Sequence, residues 1–331
     1  MGASMAEKQK KIVVIGGGTG TSLLLRGLRE YPVSLSAVIT TADTGGSSGV
    51  LRRETGMAPP GDVRQCFVAL NEGAHPLISL FNERFQEGAL AGHSFGNLFF
   101  ALLWQKYRDF PRAVKEAEKM VGAIHHVLPV TQEPTDLVAH LKDGTSVSSE
   151  IDIANSKDLY KKLDRLELGP KSVKLNNEAR EAVATADYIV IGPGNLFTSL
   201  IPPLLVPGFA GTIKKAKGKK VFVANLMNRP NSTKGFEVED YLAYFDAIFG
   251  TSVFDAVIYN TTKISPDRIK TLGIKDDQVF ATSFREGVEY IGVPLVSAAN
   301  GARDNSGVAR SLIKHDEIKT AEVLYERIIG A

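Results

Sequence analysis

The chain has 331 residues, 44% of them hydrophobic, with 39 Lys+Arg against 37 Asp+Glu and a single cysteine. That length predicts two domains or one large α/β unit with an insertion, and it buries a core without disulfide staples. A formal net charge of +2 excludes polyanion-scale binding to duplex nucleic acid, while the lone Cys66 excludes a disulfide framework or Cys-rich zinc site and suits a reducing cytoplasm.

Residues 1–10 carry no hydrophobic signal core, and Ala6 stands where a myristoylation signal needs Ser or Thr. They read as a flexible leader to one domain over 11–331. Ile12-Val-Val-Ile15 is an unbroken β-branched run, as in a strand covered on both faces. Gly16 to Gly20 break it, Leu23, Leu24, Leu25 and Leu28 start a helix, and a second apolar stretch runs from Leu35 to Thr40. That is a βαβ opening. Phe95, Leu98, Phe99, Leu102 and Leu103 fall on one face of a helix, with Phe100 and Trp104 on the other. The apolar run from Leu98 to Trp104 is far short of the ~20 residues that span a bilayer. Pro111 and the stretch Ala113 to Val121 predict another helix. Over about 125–175 the texture changes. Asp143-Gly144 between Leu137–Leu141 and Thr145–Val147 is a hairpin signal, so this segment reads as a small antiparallel β insertion. Tyr188–Ile191, Val221–Ala224 and Ala256–Tyr259 then read as strands, and Ala321, Leu324, Tyr325 and Ile328 as the face of a closing helix. The predicted fold class is α/β: a Rossmann-like, doubly wound, mostly parallel sheet with an inserted antiparallel β region.

The glycine loop after the first strand points to chemistry. In Gly16-Gly-Gly-Thr-Gly20, backbone N–H groups face outward with no Cβ in the way, a helix start adds partial positive charge, and Thr19, Thr21 and Ser22 supply hydroxyls. A phosphate is the natural guest of Gly17, Gly18, Thr19, Gly20 and Thr21. Two better-known motifs fail: Thr21 replaces the last glycine of the dinucleotide fingerprint, and no lysine follows Gly20 as a P-loop requires. A second glycine turn, with Gly192, Gly194 and Asn195, follows the strand Tyr188–Ile191. Loops after the carboxyl ends of strands in such a sheet converge on one crevice, so both turns are expected to touch one phosphate-bearing ligand.

Asp43, at the end of the second strand, is placed to bind a ribose hydroxyl or a divalent cation. Asp62 reads equally as a helix N-cap or as a partner of Asp43 in holding Mg²⁺, with Ser47, Ser48 and Arg52 as supporting donors. Asn225, Asn228 and Arg229 follow one strand, and Tyr259 and Asn260 end the next, suiting a nucleobase or a sugar. His93 stands in a polar cluster with Ser94, Gly96 and Asn97 and reads first as a hydrogen-bonded structural histidine. His125 and His126 head a strand and point to opposite faces, which disfavours a shared metal. Cys66 lies in an apolar helical stretch with no reactive setting.

Six short motifs in one order carry a resemblance over nearly the whole chain. They are Gly16-Gly-Gly-Thr-Gly20, Thr41-Ala-Asp43 with Gly45-Gly-Ser-Ser-Gly49, Pro59-Pro-Gly-Asp-Val-Arg64, Ala91-Gly-His-Ser-Phe-Gly-Asn97, Gly192-Pro-Gly-Asn-Leu-Phe-Thr-Ser199 and Val206-Pro-Gly208. The chain resembles the YvcK family of gluconeogenesis factors, within the superfamily of the CofD 2-phospho-L-lactate transferases. The resemblance implies a Rossmann-like fold with an extra β region and a cytoplasmic protein. On the CofD side it implies transfer of a phospholactyl group to a deazaflavin from a guanosine nucleotide, with a divalent metal. On the YvcK side it implies binding of a UDP-sugar such as UDP-N-acetylglucosamine, a link to cell shape and gluconeogenic growth, and no established reaction. The Gly45–Gly49 segment and the compact middle place the chain with YvcK. Two positions depart from the pattern: Thr44 replaces a second aspartate, which weakens a metal site, and Lys314-His-Asp316 replaces Arg-His-Asp, leaving Lys314 to meet a phosphate as a point charge. The expected protein is a nucleotide-sugar-binding regulator with a cell-envelope or metabolic protein partner, a homo-oligomer as an open option, and neither nucleic acid nor a membrane span. Its rivals are a CofD-like transferase with Mg²⁺ at Asp43 and Asp62, and an NAD-dependent oxidoreductase, which Thr21 disfavours.

Overall fold

The computed structural model describes residues 9–301 and 312–330; residues 1–8 of the expected leader lie outside the described residues. Seven strands form the main sheet. They are β1 (Lys10–Gly16), β2 (Val33–Ile39), β3 (His126–Pro129), and, after an insertion holding β4 (Asp136–Leu141), β5 (Ser146–Ser148) and β6 (Leu163–Gly169), β7 (Tyr188–Ile191), β8 (Lys219–Val223), β9 (Ala256–Asn260) and β10 (Glu289–Val293). Their order is β10-β9-β8-β7-β1-β2-β3, and every adjacent pair is parallel. The chain moves outward from β1 through β2 to β3, then returns to the other side of β1 and moves outward again. Such a reversal opens a crevice at the carboxyl ends of the two strands where it happens, here β1 and β7.

The unbroken apolar run of β1 is buried on both faces. Ile12 and Val14 enter one core, with Leu24, Leu28 and Phe67, while Val13 and Ile15 enter the other, with Phe197, Phe222 and Phe245. One helix, α1 (Gly18–Leu28), follows β1, and two more, α2 (Gly46–Thr55) and α3 (Gly61–Asn71), follow β2. The inserted β4–β6 sheet is antiparallel throughout. It starts later than expected from the sequence, because residues 126–129 pair parallel with β2 and form the edge of the main sheet. A further two-stranded sheet joins β11 (Val296–Asn300) to β12 (Ile313–His315), and the closing helix runs over Glu317–Leu324.

The helix Phe95–Tyr107 turns a different face inward from the one its leucines and phenylalanines predict. Gly96, Asn97, Phe100 and Leu103 are buried, whereas Leu102 is 66% exposed and Phe95, Leu98 and Phe99 are half-buried. Close packing decides this. A Cβ on Gly96 would sit 2.7 Å from Phe81 and 2.8 Å from the Arg64 stem, so only the glycine face fits there. The buried Asn97–Arg64 hydrogen bond then fixes the rotation of the helix.

Candidate functional site

At the crevice the two glycine turns meet. A Cβ at Gly20 would fall 2.3 Å from the carbonyl oxygen of Pro193, so the first turn can pass under the second only with glycine at that position. Gly18 has φ +68 and Gly192 φ +84, both in the left-handed region that favours glycine. Gly18, Thr19 and Gly20 are partly open to solvent, as are Gly194 and Asn195. Asn225, at the end of β8, holds the second turn in place. Its Oδ1 accepts from the Gly194 N–H at 3.1 Å and its Nδ2 donates to the Gly194 carbonyl at 2.8 Å. Asn195 caps the turn that follows, accepting from Phe197 N–H at 3.1 Å.

The segment after β2 supplies the next wall. Asp43 Oδ1 accepts from Gly45 N–H at 2.7 Å, which bends the chain into α2. A Cβ on Gly61 would lie 2.3 Å from Ser48 Oγ and 2.6 Å from Asp43 Oδ2, and one on Gly17 would lie 2.5 Å from Asp62 Oδ2. The starts of α1, α2 and α3 are therefore packed together through missing side chains, and each helix start contributes a partial positive charge there. Asp62 is not the cap of α3, since Pro60 occupies that position; it faces the first glycine turn instead.

A third carboxyl joins these two, and no motif announces it. Glu150, on the short insertion helix Glu150–Asn155, shares a hydrogen bond with Asp43 and accepts from the backbone of Thr44. Burial, then the neighbouring charges of Asp43 and Asp62, push its carboxyl well above the usual carboxylate range. An oxygen-only donor set of this kind suits a hard cation such as Mg²⁺, which needs only one or two protein carboxylates beside substrate oxygens. Among the described residues no group of three His, Cys, Asp or Glu side chains stands in metal-holding geometry.

Other expected residues do different work. Thr21 is buried, with its hydroxyl donating to Gly17 O at 3.3 Å. Asn228 is 6% exposed; its amide donates to Phe236 O and Asp277 and accepts from the Tyr241 hydroxyl, whose burial raises its pKa to about 12. Asn260, at 1% exposure, bonds Thr262 and the Leu295 N–H, closing a turn rather than opening to the crevice. Tyr259 packs toward the sheet edge, against Phe284 and Tyr290 and over Gly292. Arg229 is half-buried on the loop after β8, where burial lowers its pKa. Lys314 is half-buried on β12, which His315 pins to the end of β8 by an Nε2–H donated to Ala224 O at 3.0 Å.

Two of these placements depended on signals that the sequence does carry. The Ala91–Asn97 motif contributes directly: His93 Nδ1 lies 3.0 Å from Ser47 Oγ, joining the motif to the start of α2. Gln65, one helical turn beyond Asp62, bridges Asp62 and Thr19 at 3.5 Å to each.

Comparison with known proteins shows the family and the fold. The family profile of the 2-phospho-L-lactate transferase CofD matches residues 12–299. The chain is 38% identical over 320 residues to a gluconeogenesis factor of Halalkalibacterium halodurans, covering 96% of this chain and 97% of that one. It is 39% identical over 265 residues to a gluconeogenesis factor of Bacillus subtilis, covering 80% and 82%. A crystal structure of a UPF0052-family protein from Bacillus halodurans superposes with a TM-score of 0.85 at 37% identity, covering 97% of this chain and all of that one.

Proposed function

Because the chain belongs to the CofD family and its relatives are gluconeogenesis factors, we propose that it binds a nucleotide sugar, such as UDP-N-acetylglucosamine, as a regulator of carbon metabolism and cell shape in the cytoplasm. One observation supports this reading: the close packing of Gly20 on the Pro193 backbone, which brings the two glycine turns together at the carboxyl ends of β1 and β7. The first turn would supply Gly17, Gly18, Thr19 and Gly20 to the phosphates, with Lys314 of β12 as their cation. Asn195 and Asn225 organise the second turn, and Arg229 closes the β8 side. Isothermal titration calorimetry with UDP-N-acetylglucosamine and UDP-glucose is the test. Saturable heat is expected; the absence of both heat and thermal shift with every nucleotide tried ends the proposal.

The gathering of Asp43, Asp62 and Glu150 favours a second reading, a CofD-like transferase with Mg²⁺. Asp43 and Asp62 would hold the ion, which when bound would neutralise phosphate charge. The chain's own residues would position the donor nucleotide on the glycine turns. Turnover of guanosine-linked phospholactate with a deazaflavin separates the readings, since only the transferase yields product.

A further inference from the structure

A cavity of about 220 Å³ lies at the end of the sheet opposite the glycine turns. Its residues stand just before β2 (Arg29, Glu30), just before β3 (Ile124, His125) and at the carboxyl end of α3 (Leu70, Asn71). One donor there has a fixed sense. The backbone N–H of Leu35, which can only donate, meets His125 Nδ1 at 3.4 Å. Burial, then the charges of His126 and Arg29, lower the His125 pKa, so the ring is neutral and its one N–H is on Nε2. His125 is 5% exposed, and that Nε2–H has no protein acceptor among the described residues. Arg29 leaves a second donor. Its Nε–H goes to Glu30 at 3.0 Å and its Nη1 to Ala69 O at 2.8 Å, while Nη2 has no protein partner among the described residues.

The charges around these donors select the guest. Glu30 shares the cavity, and Glu72, paired with Arg26 at 2.8 Å, lies 3.7 Å from Arg29 Nη1. α1 ends at Leu28 and α3 at Asn71, and each helix end adds partial negative charge. The charge of Arg29 is thus already balanced, and a dianion such as phosphate gains nothing here. A molecule carrying both signs does gain, since its carboxylate can accept from Arg29 and His125 while its ammonium faces Glu30. Leu70, Ala74 and Ile124 add an apolar wall, and Ile124 is 79% exposed. At roughly 30 Å³ per water-sized group the space holds about seven such groups, the size of a small amino acid. We propose that this cavity binds a free apolar α-amino acid, with Arg29 and His125 on its carboxylate, Glu30 on its ammonium and Ile124 over its side chain. The site is separate from the crevice and does not rest on the nucleotide reading.

The test is saturation-transfer NMR with L-valine, with isovalerate, which lacks the ammonium, and with valinamide, which lacks the carboxylate; inorganic phosphate serves as competitor. It uses the full chain, R29Q and E30Q, with thermal melts to establish that each is folded. Valine should bind the wild type saturably, and isovalerate and valinamide about tenfold more weakly, as expected for loss of one charge-assisted hydrogen bond. R29Q should weaken valine about tenfold for the same reason. E30Q, at an exposed position, should weaken valine but not isovalerate, and it decides alone if R29Q does not fold. Absence of a saturable valine signal, or valine affinity unchanged in the folded variants, overturns the inference. Isovalerate binding as tightly as valine, or phosphate displacing valine, overturns it as well by making the site a simple anion site.

Discussion

At Gly20 a single methyl group decides whether the two glycine turns coexist. The added Cβ would meet the Pro193 backbone at 2.3 Å, and a backbone atom cannot swing aside as a side chain does. Gly20→Ala should therefore cost about 1–3 kcal/mol of stability, typical of overpacking, and should abolish nucleotide binding; a denaturant midpoint and a calorimetric titration measure the two. His315 offers a second residue-level outcome. Burial lowers its pKa to about 4, while its Nε2–H is held by Ala224 O. The unfolded chain takes up a proton that the fold refuses, so stability is full above about pH 6.5 and falls as pH drops toward 4. At ~1.4 kcal/mol per unit the loss approaches about 3 kcal/mol. His315→Gln should flatten that part of a pH–stability curve, and an unchanged slope would remove His315 as its source. The positions legible in the sequence were those whose geometry is local, such as the glycine turns and the Asp43 bend. Asn228 and Asn260 were misleading because a polar side chain at a strand end serves either a ligand or a turn, and only the acceptors around it tell which.

Elements brought in from far along the chain explain what the sequence left hidden. Glu150 belongs to a six-residue helix capped by Ser149 within the insertion, and nothing near it in sequence marks it as part of a crevice built 100 residues earlier. Docking of the insertion delivers it, aided by the Arg52–Asp136 ion pair at 2.7 Å between α2 and β4. The crowding of Glu150 against Asp43 and Asp62 has a measurable sign. Its carboxyl is raised above the unfolded value, so the fold is favoured while Glu150 is protonated and loses that advantage as pH rises through the raised pKa. Glu150→Gln should raise the melting temperature at pH 8, by roughly 1–2 °C for each 1 kcal/mol relieved. The gain should shrink toward pH 4.5; a variant that melts below the wild type at pH 8 contradicts it. The helix Phe95–Tyr107 shows the converse failure, because hydrophobic periodicity names a face by composition, whereas Gly96 and Asn97 chose it by fit.

Over the whole molecule, the doubly wound architecture was readable because β1, β7, β8 and β9 are short buried runs of branched residues, which parallel sheets require. β10 escaped notice, since its sequence Glu289–Val293 has an exposed end and only Ile291 buried, as an edge strand allows. Strand β3 was misplaced for a related reason: His126 and Pro129 do not look like sheet interior, yet this short run pairs with β2 at the opposite edge. The pairing of β1 with β7 has a temporal consequence. Ile12 finds Tyr188 as its partner, and the oxygen that fits over Gly20 belongs to Pro193. During synthesis, β1 must wait until β7 has been made before its second edge is covered. Until then no amino-terminal stretch of the chain holds the two glycine turns together, so the crevice forms late relative to the strand that opens it.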